Sequence, residues 1–419
     1  MLIRARTLVP VVAPSIEDGA LAISDGIIRA VGPWRELRNE WPGPVEDLGE
    51  VIVMPGLVNG HCHLDYTDLA GELAPPREFA DWIKSILAAR SSWGFSEYAG
   101  SWLKGADQLR RHGITSVANI ESTPEILAHV REVAPLRVFS FLELTGIRSG
   151  RPAGELVGEA LRIAEGLERV GRGAIGLAPH APYSTRSELV ERVAREARQE
   201  GLRVTMHVAE SLAEFDMFAF RRGPMFDWLK SQRPMEDCGL GSPVVHLDRY
   251  GLLDTNLLAV HGNYLWRDDA RLLASRGVSM AHCPQSHAYF RHQRFPYREL
   301  VESGVNVCLG TDSLASTRVA SGQRPQLSLF DELHAFQTVE PNVPPKELLR
   351  LVTVNTARAL GWRGRVGQLT PGAWADLAVL QEKASARRAE EVVVAHRGEV
   401  AATMVDGDWV WRRSEKRNS

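Results

Sequence analysis

The chain has 419 residues, of which 49 are basic and 52 acidic, so its formal net charge is 49 − 52 = −3 with histidine neutral. This balance disfavours a nucleic-acid-binding protein, which usually carries a basic surplus. Hydrophobic residues make up 44% and charged residues 24%, which is typical of a globular chain and excludes a disordered one.

Membrane and secretory signals are absent from the composition. No run approaches the ~20 apolar residues of a membrane span, and an arginine interrupts the short apolar stretch at the N-terminus. Four cysteines in so long a chain do not make a disulfide framework. We therefore expect a reduced, cytoplasmic protein with no membrane partner and no nucleic-acid partner.

Both ends of the chain are rich in residues that favour short strands. Asp25-Gly26 and Asp406-Gly407 are each flanked by such residues, as in β-hairpins. We expect the two ends to pair as a small composite β-sandwich domain of residues 1–53 and 366–412. The predicted strands are residues 2–12, 20–24, 27–31, 374–380, 392–396 and 402–405.

Residues 54–365 alternate between apolar runs and charged segments with helical periodicity. Eight such β–α units predict an α/β fold, a (β/α)8 TIM-like barrel. The predicted strands are residues 51–63, 114–120, 137–144, 174–180, 203–207, 257–261, 278–282 and 305–312. The predicted helices include residues 156–169, 186–199, 268–276 and 345–360. The segment 64–105, which contains Trp82, Trp93 and Trp102, is long for a connection and could form a lid.

Polar side chains with metal-binding chemistry fall at the ends of these predicted strands. Because the carboxyl ends of barrel strands form one rim, we expect these side chains to converge at one mouth. They are His61, His63, His180, His207, His261 and Asp312.

His61 and His63 are two residues apart, so on a strand they share a face and can bind one divalent metal. Read singly, they could also be ordinary loop histidines. His207 adds a third imidazole, and Glu210 follows it, either at the same cavity or as a carboxylate at a helix start. Asp312 ends a buried run, either as a cation ligand or as a helix N-cap.

Three histidines and one aspartate would give a mononuclear site with an open position for water. Such a metal lowers the pKa of the water toward ~7. Glu210 could then transfer the water's proton to the substrate, and His261 could polarise the water or the developing oxyanion. His180 could donate to the substrate, although His180 and His261 could equally be satisfied strand-end histidines.

The motifs as a set resemble the amidohydrolase superfamily, over nearly the whole chain. Within it they are similar to the metal-dependent aminohydrolase branch, which holds guanine, cytosine, S-adenosylhomocysteine and aminodeoxyfutalosine deaminases and the triazine hydrolases. The motifs are MPGLVNGHCH at 54–63, PHAPYS at 179–184, HVAE at 207–210, HCPQS at 282–286 and LGTDS at 309–313. The flanks 16–20, 25–32 and 367–377 resemble that branch's composite β-sandwich.

The resemblance implies His61, His63, His207 and Asp312 as ligands of zinc or iron. It also implies that Glu210 is the proton shuttle, that His261 orients the water and that Asp312 helps to deprotonate it. Relatives with two metals carry a lysine where this chain has His180, so we expect one metal, with Glu143 as a further candidate ligand. Relatives are often homodimers.

Substrate contacts are expected from His180, from Trp82 in the lid and from His287, which stands where relatives often have asparagine. Arg90, Arg148, Arg291 and His292 could meet an anionic substrate group or could be solvated loop residues.

The leading hypothesis is hydrolytic deamination of an aminated N-heterocycle that is purine-, nucleoside- or pterin-like, with aminodeoxyfutalosine among the candidates. The bond broken is a carbon–nitrogen bond other than a peptide, and the partner is a small molecule. A triazine-type chlorohydrolase or N-dealkylating hydrolase is the alternative. A non-catalytic scaffold is a third reading, which the complete ligand set disfavours.

Overall fold

The computed structural model describes residues 1–147, 150–318 and 324–414, so Arg148 lies outside the described residues. The strands are β1 Leu2–Leu8, β2 Ile16–Ser24, β3 Ile27–Pro33, β4 Val45–Asp47, β5 Ile52–Pro55, β6 Leu57–Cys62, β7 Ile114–Glu121, β8 Arg137–Leu144, β9 Arg172–Pro179, β10 Val204–Val208, β11 Leu257–His261, β12 Ser279–His282, β13 Asn306–Leu309, β14 Leu377–Leu380, β15 Ala402–Val405 and β16 Asp408–Arg412.

Helices connect these strands. They are α1 Trp34–Glu40, α2 Phe79–Ala89, α3 Phe95–Arg111, α4 Leu127–Val133, α5 Ala153–Leu167, α6 Ser187–Gln199, α7 Leu212–Phe220, α8 Pro224–Leu229, α9 Pro243–Arg249, α10 Asp269–Ser275, α11 Pro284–Phe290, α12 Tyr297–Glu302, α13 Leu329–Val339, α14 Pro345–Leu351, α15 Val354–Ala359 and α16 Ala389–Ala395. Short 3-10 helices lie at Leu64–Leu69, Pro124–Ile126 and Leu314–Ser316.

Strands β6 to β13 form the barrel. They pair in parallel and in chain order, and a bridge between Cys62 and Asp312 joins the last strand to the first. At this seam the backbone N–H groups of Thr311 and Asp312 both donate to His61 O at 3.0 Å. The predicted (β/α)8 barrel is therefore confirmed, and its seam lies beside the first histidine pair.

Two glycines allow the seam to close. A Cβ on Gly60 would lie 2.8 Å from Leu309 O, and one on Gly310 would lie 2.7 Å from His61 N. Asn59 fastens the same place, because its side chain donates to Thr311 Oγ1 at 2.8 Å and accepts from Thr311 N at 3.1 Å. The glycine and asparagine of the NGH sequence thus fix the backbone that carries His61.

The two ends of the chain form a separate mixed sheet. Its order is β16-β15-β14-β5-β1-β2-β3, with β4 paired to β1. Residues from both ends, including Ile3, Leu21 and Leu377, pack into one apolar cluster. Both hairpins and a sheet built from both ends of the chain are confirmed. The domain bounds 1–53 and 366–412 stay a prediction, and β5 extends this sheet to Pro55, past residue 53.

One strand prediction is wrong. Residues 392–396 were expected to be a strand, but they lie largely in α16. Ala389 and Val393, one helical turn apart, are buried in the main core, and α16 packs against α13 and α14. This packing overrides the strand preference of the valines.

Two predicted elements are divided. Residues 51–63 form β5 in the composite sheet and β6 in the barrel, and residues 345–360 form α14 and α15. Between the two helices, the Thr353 hydroxyl donates to Leu349 O at 2.5 Å.

No helix in the described residues combines the length and the apolar character needed to cross a membrane. The four cysteines are free and buried.

Candidate metal centre and substrate cavity

The candidate ligands meet at the carboxyl end of the barrel. His61 lies in β6 and His63 directly follows it, His207 lies in β10, and Asp312 follows β13. His261 and Asp312 have positive φ angles of 76° and 53°. Such strained backbone clusters at functional sites, where the surrounding structure holds it.

The donor atoms converge on one point. His63 Nε2 lies 3.4 Å from His207 Nε2 and 3.7 Å from Asp312 Oδ1, and His61 Nε2 lies 3.6 Å from Asp312 Oδ1. Ligands about 2.0–2.2 Å from a tetrahedral ion are separated by about 3.3–3.6 Å. These three separations fit ligands of one ion. Within the described residues, the groups whose donor atoms all lie within 4.8 Å of one another include His61, His63 and Asp312, and also His61, His207 and His261. The joint ligation of one ion by His207 and Asp312 stays a prediction.

The hydrogen bonds around these donors also fit a metal. His61 Nε2 is buried and has no hydrogen-bond partner among the residues that the structure describes. His207 Nδ1 donates to His180 O at 2.8 Å, which leaves its Nε2 lone pair facing the cluster. Asp312 Oδ2 accepts from Ser316 Oγ at 3.2 Å, so Oδ1 faces the histidines. Three imidazole nitrogens and one carboxylate oxygen are a donor set that suits zinc.

The protonation states favour ligation. Burial, reinforced by neighbouring histidines, lowers the pKa of His63 and of His207 well below its usual value, so both rings are neutral. Burial alone would raise the pKa of Asp312, but His61, His261 and His63 outweigh it and bring that pKa well below its usual value. A neutral imidazole and an ionised carboxylate are the ligating forms.

Glu210 and His261 lie beside the ligands. His261 Nε2 is 3.7 Å from Glu210 Oε1, and either residue can be grouped with Asp312 within 4.8 Å. Burial, Asp312 and Glu214 raise the pKa of Glu210 well above its usual value, so it can hold a proton near neutral pH. Burial lowers the pKa of His261 well below its usual value.

Glu214 and Asn263, which the sequence analysis missed, position Glu210. The Glu214 carboxylate accepts from Ala209 N at 3.0 Å and Glu210 N at 2.9 Å, and Asn263 Nδ2 donates to Glu210 O at 3.0 Å. The signal was present, since Ser211 and Glu214 have the spacing of a helix capping box. Ser211 Oγ does cap α7 by accepting from Glu214 N.

A cavity of about 370 Å³ opens onto this cluster, a size within the usual ~300–1,000 Å³ of small-molecule sites. Its floor includes His63, His207, Glu210, His261 and Asp312. Its cover includes Phe79, Trp82, Ile83, Ile86 and Leu87 of α2, together with Trp228 and Leu229 of α8, which packs against α2. The part of the predicted lid segment that covers the cavity is thus α2, whereas Trp102 of α3 is buried in the main core and donates to Glu121 at 3.2 Å.

A sequence profile described as "Amidohydrolase family" matches residues 52–410. The chain belongs to this family. A second profile, "Imidazolonepropionase-like composite domain, bacteria", matches residues 19–43, which lie largely within the composite sheet of this amidohydrolase.

Curated and solved relatives agree with this family. A protein of Syntrophobacter fumaroxidans named 5-methylthioadenosine/S-adenosylhomocysteine deaminase is 32% identical over 378 residues, 87% of this chain and 80% of that protein. An adenosine deaminase from Xanthomonas campestris with bound zinc has a TM-score of 0.84 and 25% identity, covering 98% of this chain and 92% of that one. Helicobacter pylori aminofutalosine deaminase, in complex with methylthio-coformycin, shares the fold, with a TM-score of 0.83 and 21% identity over 98% of this chain and 100% of that one.

Only some of the predicted substrate contacts of this amidohydrolase line the cavity. His180, Trp82 and Arg90 line the cavity. His287 is not among the lining residues, because its ring is turned to Gln293 O, to which Nε2 donates at 2.7 Å. Its role as a substrate contact stays a prediction. Arg291 and His292 are also outside the lining, and His292 Nδ1 lies 3.2 Å from Tyr264 OH.

Tyr66 is a cavity residue to which the sequence analysis gave no role. Its ring stacks on His63 with centroids 5.3 Å apart, and its hydroxyl accepts a hydrogen bond from Arg90 at the end of α2. The Tyr66 ring therefore connects the end of α2 to His63, a candidate metal ligand.

Proposed function

We propose that this amidohydrolase is a hydrolytic deaminase of an aminated N-heterocycle and uses one divalent metal, zinc, held by His61, His63, His207 and Asp312. The observation that carries the proposal is the convergence of these donors beside Glu210 at the floor of a covered cavity. The curated relative named 5-methylthioadenosine/S-adenosylhomocysteine deaminase supports an adenine-type heterocycle.

A divalent cation held by these ligands would supply an activated water, with its pKa lowered toward ~7. Glu210 takes a proton from the attacking water and delivers it to a ring nitrogen as the water oxygen bonds to the amine-bearing carbon. The second proton of the water passes to the exocyclic amine with the help of Asp312. The bond between that nitrogen and the ring carbon then breaks, ammonia leaves, and the ring carbon keeps the oxygen as a carbonyl.

His261 and Asp312 orient the water. The neutral His261 ring, which lies 3.7 Å from Glu210, contributes a hydrogen bond to the water. The ionised Asp312 helps to accept the proton of that water. Burial, Arg90 and His61 lower the pKa of His180 to about 4, so a neutral imidazole meets the substrate. The apolar face of α2 excludes bulk water.

The test is ammonia release from a panel of aminopurines, nucleosides and pterins. Glu210→Gln keeps the size of the side chain and should lower kcat by about 10²–10⁴-fold, with the metal content unchanged. Glu165→Gln, on the exposed side of α5, is the matched control and should behave as wild type. Full activity of Glu210→Gln would remove Glu210 from the mechanism.

The same reactions separate the other readings. A triazine-type hydrolase would release chloride or an alkylamine in place of ammonia. A scaffold protein would contain no metal by elemental analysis after purification without chelator. A cytoplasmic location and a homodimer stay predictions of the sequence.

A further inference from the structure

Glu143 is a buried acid that the proposed chemistry does not use. It lies next to the end of β8, lines the cavity and has a side chain that is 12% exposed. The other carboxylates in the described lining of the cavity are Glu210 and Asp312, which belong to the metal centre. Glu143 is therefore the one acid of that lining available to the rest of the substrate.

The Glu143 carboxylate has no hydrogen-bond donor within the described parts of the protein. His180 Nε2 lies 3.9 Å from Glu143 Oε1, which is beyond hydrogen-bond length. Burial raises the pKa of Glu143, and Arg90 opposes that rise. A carboxylate that lines the cavity and accepts no hydrogen bond from the described residues can accept one from a group that enters the cavity.

The position of Glu143 does not suit a second metal ligand. None of the candidate metal groups found in the described residues includes it. His180 neighbours both groups, since its Nε2 is 3.9 Å from Glu143 Oε1 and its ring centroid is 4.9 Å from that of His207. A substrate that reaches the candidate metal centre and fills the cavity could therefore place a substituent near Glu143.

The residues around Glu143 indicate which kind of substrate group would bind there. Arg90 lines the same region, held by Tyr66 OH and by Ser122 Oγ at 3.3 Å, and its charge disfavours a cationic ligand. Thr145 also lines the cavity, and its hydroxyl can both donate and accept, whereas Ser122 Oγ already donates to Asp65 Oδ2 at 2.5 Å. This combination suits an uncharged group with several hydroxyls.

We infer that Glu143 determines specificity by accepting hydrogen bonds from the hydroxyls of a sugar-like substituent on the heterocycle. The inference rests on the proposed function and narrows the substrate class from heterocycles in general to hydroxylated ones such as nucleosides.

The experiment compares adenosine with 2′,3′-dideoxyadenosine, which carry the same reacting ring. In the zinc-loaded wild type, kcat/KM for adenosine should exceed that for the dideoxy analogue by about 10- to 100-fold, the usual value of hydrogen bonds to a charged group. Glu143→Leu should abolish this preference, mainly through KM for adenosine, and leave the dideoxy analogue nearly unaffected. Glu143→Gln should fall between them, and Glu165→Gln should match wild type.

Two further readouts exclude a structural or metal-binding role. Because Glu143 has no partner to lose, Glu143→Leu should keep or raise the melting temperature, and its metal content should stay at one ion per chain. A lowered melting temperature together with equal losses on both substrates would overturn the inference, as would two ions in wild type falling to one in the variant.

The failures of the two proposals look different. A wild type that releases no ammonia from any compound of the panel refutes the proposed function and this inference with it. A wild type that deaminates both adenosine analogues equally, or only sugar-free heterocycles, refutes the role of Glu143 alone.

Discussion

The floor and the cover of the cavity are built in different ways. The floor consists of side chains at barrel strand ends, and backbone hydrogen bonds such as Thr311 N to His61 O hold them. The cover is α2, an 11-residue helix, whose Phe79, Trp82 and Ile83 pack with aromatic and apolar side chains of α7 and α8. The barrel backbone therefore positions the candidate metal-binding side chains, whereas side-chain packing between helices holds the cover.

The largest expected effect, a loss of both metal and activity, comes from removing a candidate metal ligand at the floor of the cavity. His207→Ala deletes one of three imidazoles and should lower both metal content and kcat, by more than about 10³-fold, since the metal contributes several kcal/mol to the barrier. Chelation of wild type should give the same loss, reversed by zinc. Elemental analysis and ammonia release measure it, and an active, metal-free His207→Ala would contradict the assignment.

Adding a methyl group where the last barrel strand meets the first tests whether the backbone there holds the floor of the cavity in place. Gly60→Ala places a Cβ 2.8 Å from Leu309 O and should lower the free energy of unfolding by about 1–3 kcal/mol. Gly100→Ala in α3 is the matched control, because its Cβ meets nothing within 4 Å, and it should stabilise by about 0.5–1 kcal/mol. Denaturant titration compares them, and equal effects would show that the seam tolerates the methyl group.

Truncation of a side chain in the cover should affect substrate binding more than the chemical step. Trp82→Ala removes a ring that packs edge-on against Phe290, with centroids 5.0 Å apart. We expect KM to rise by about 10-fold, while metal content stays constant and kcat changes less. Steady-state kinetics with metal analysis checks this, and a loss of metal would mean that cover and floor are one unit.

The smallest expected effect is a pH dependence of stability that arises from His246 in α9. His246 packs on Phe218 with centroids 4.5 Å apart, and burial lowers its pKa from 6.5 to about 4. Between these values the unfolded chain binds a proton that the folded chain does not, so stability falls as pH falls from 6.5 to 4. In the His246→Leu variant, the slope of the free energy of unfolding against pH should decrease by the equivalent of up to about one bound proton. Denaturation at several pH values measures it, and parallel curves for variant and wild type would contradict it.

Local patterns were sufficient to predict the barrel and the side chains that gather at its carboxyl end, whereas their role as metal ligands stays a prediction. Apolar runs ending in histidine or aspartate indicate strand ends, and the two-residue spacing of His61 and His63 places both on one face. Parallel strands in a barrel bring all such ends to one rim, so distant ligands converge without any knowledge of side-chain packing.

Tertiary structure decided the features that depend on neighbours distant in sequence. The valines near residue 393 favour a strand by themselves and become helical because α13 and α14 bury that face. The spacing of Ser211 and Glu214 predicts a capping box, but only the fold directs the Glu214 carboxylate to the backbone of Glu210. Likewise, sequence places Glu143 at a strand end, and only the packed cavity leaves its carboxylate without a donor, because hydrogen-bond satisfaction is a property of the surroundings.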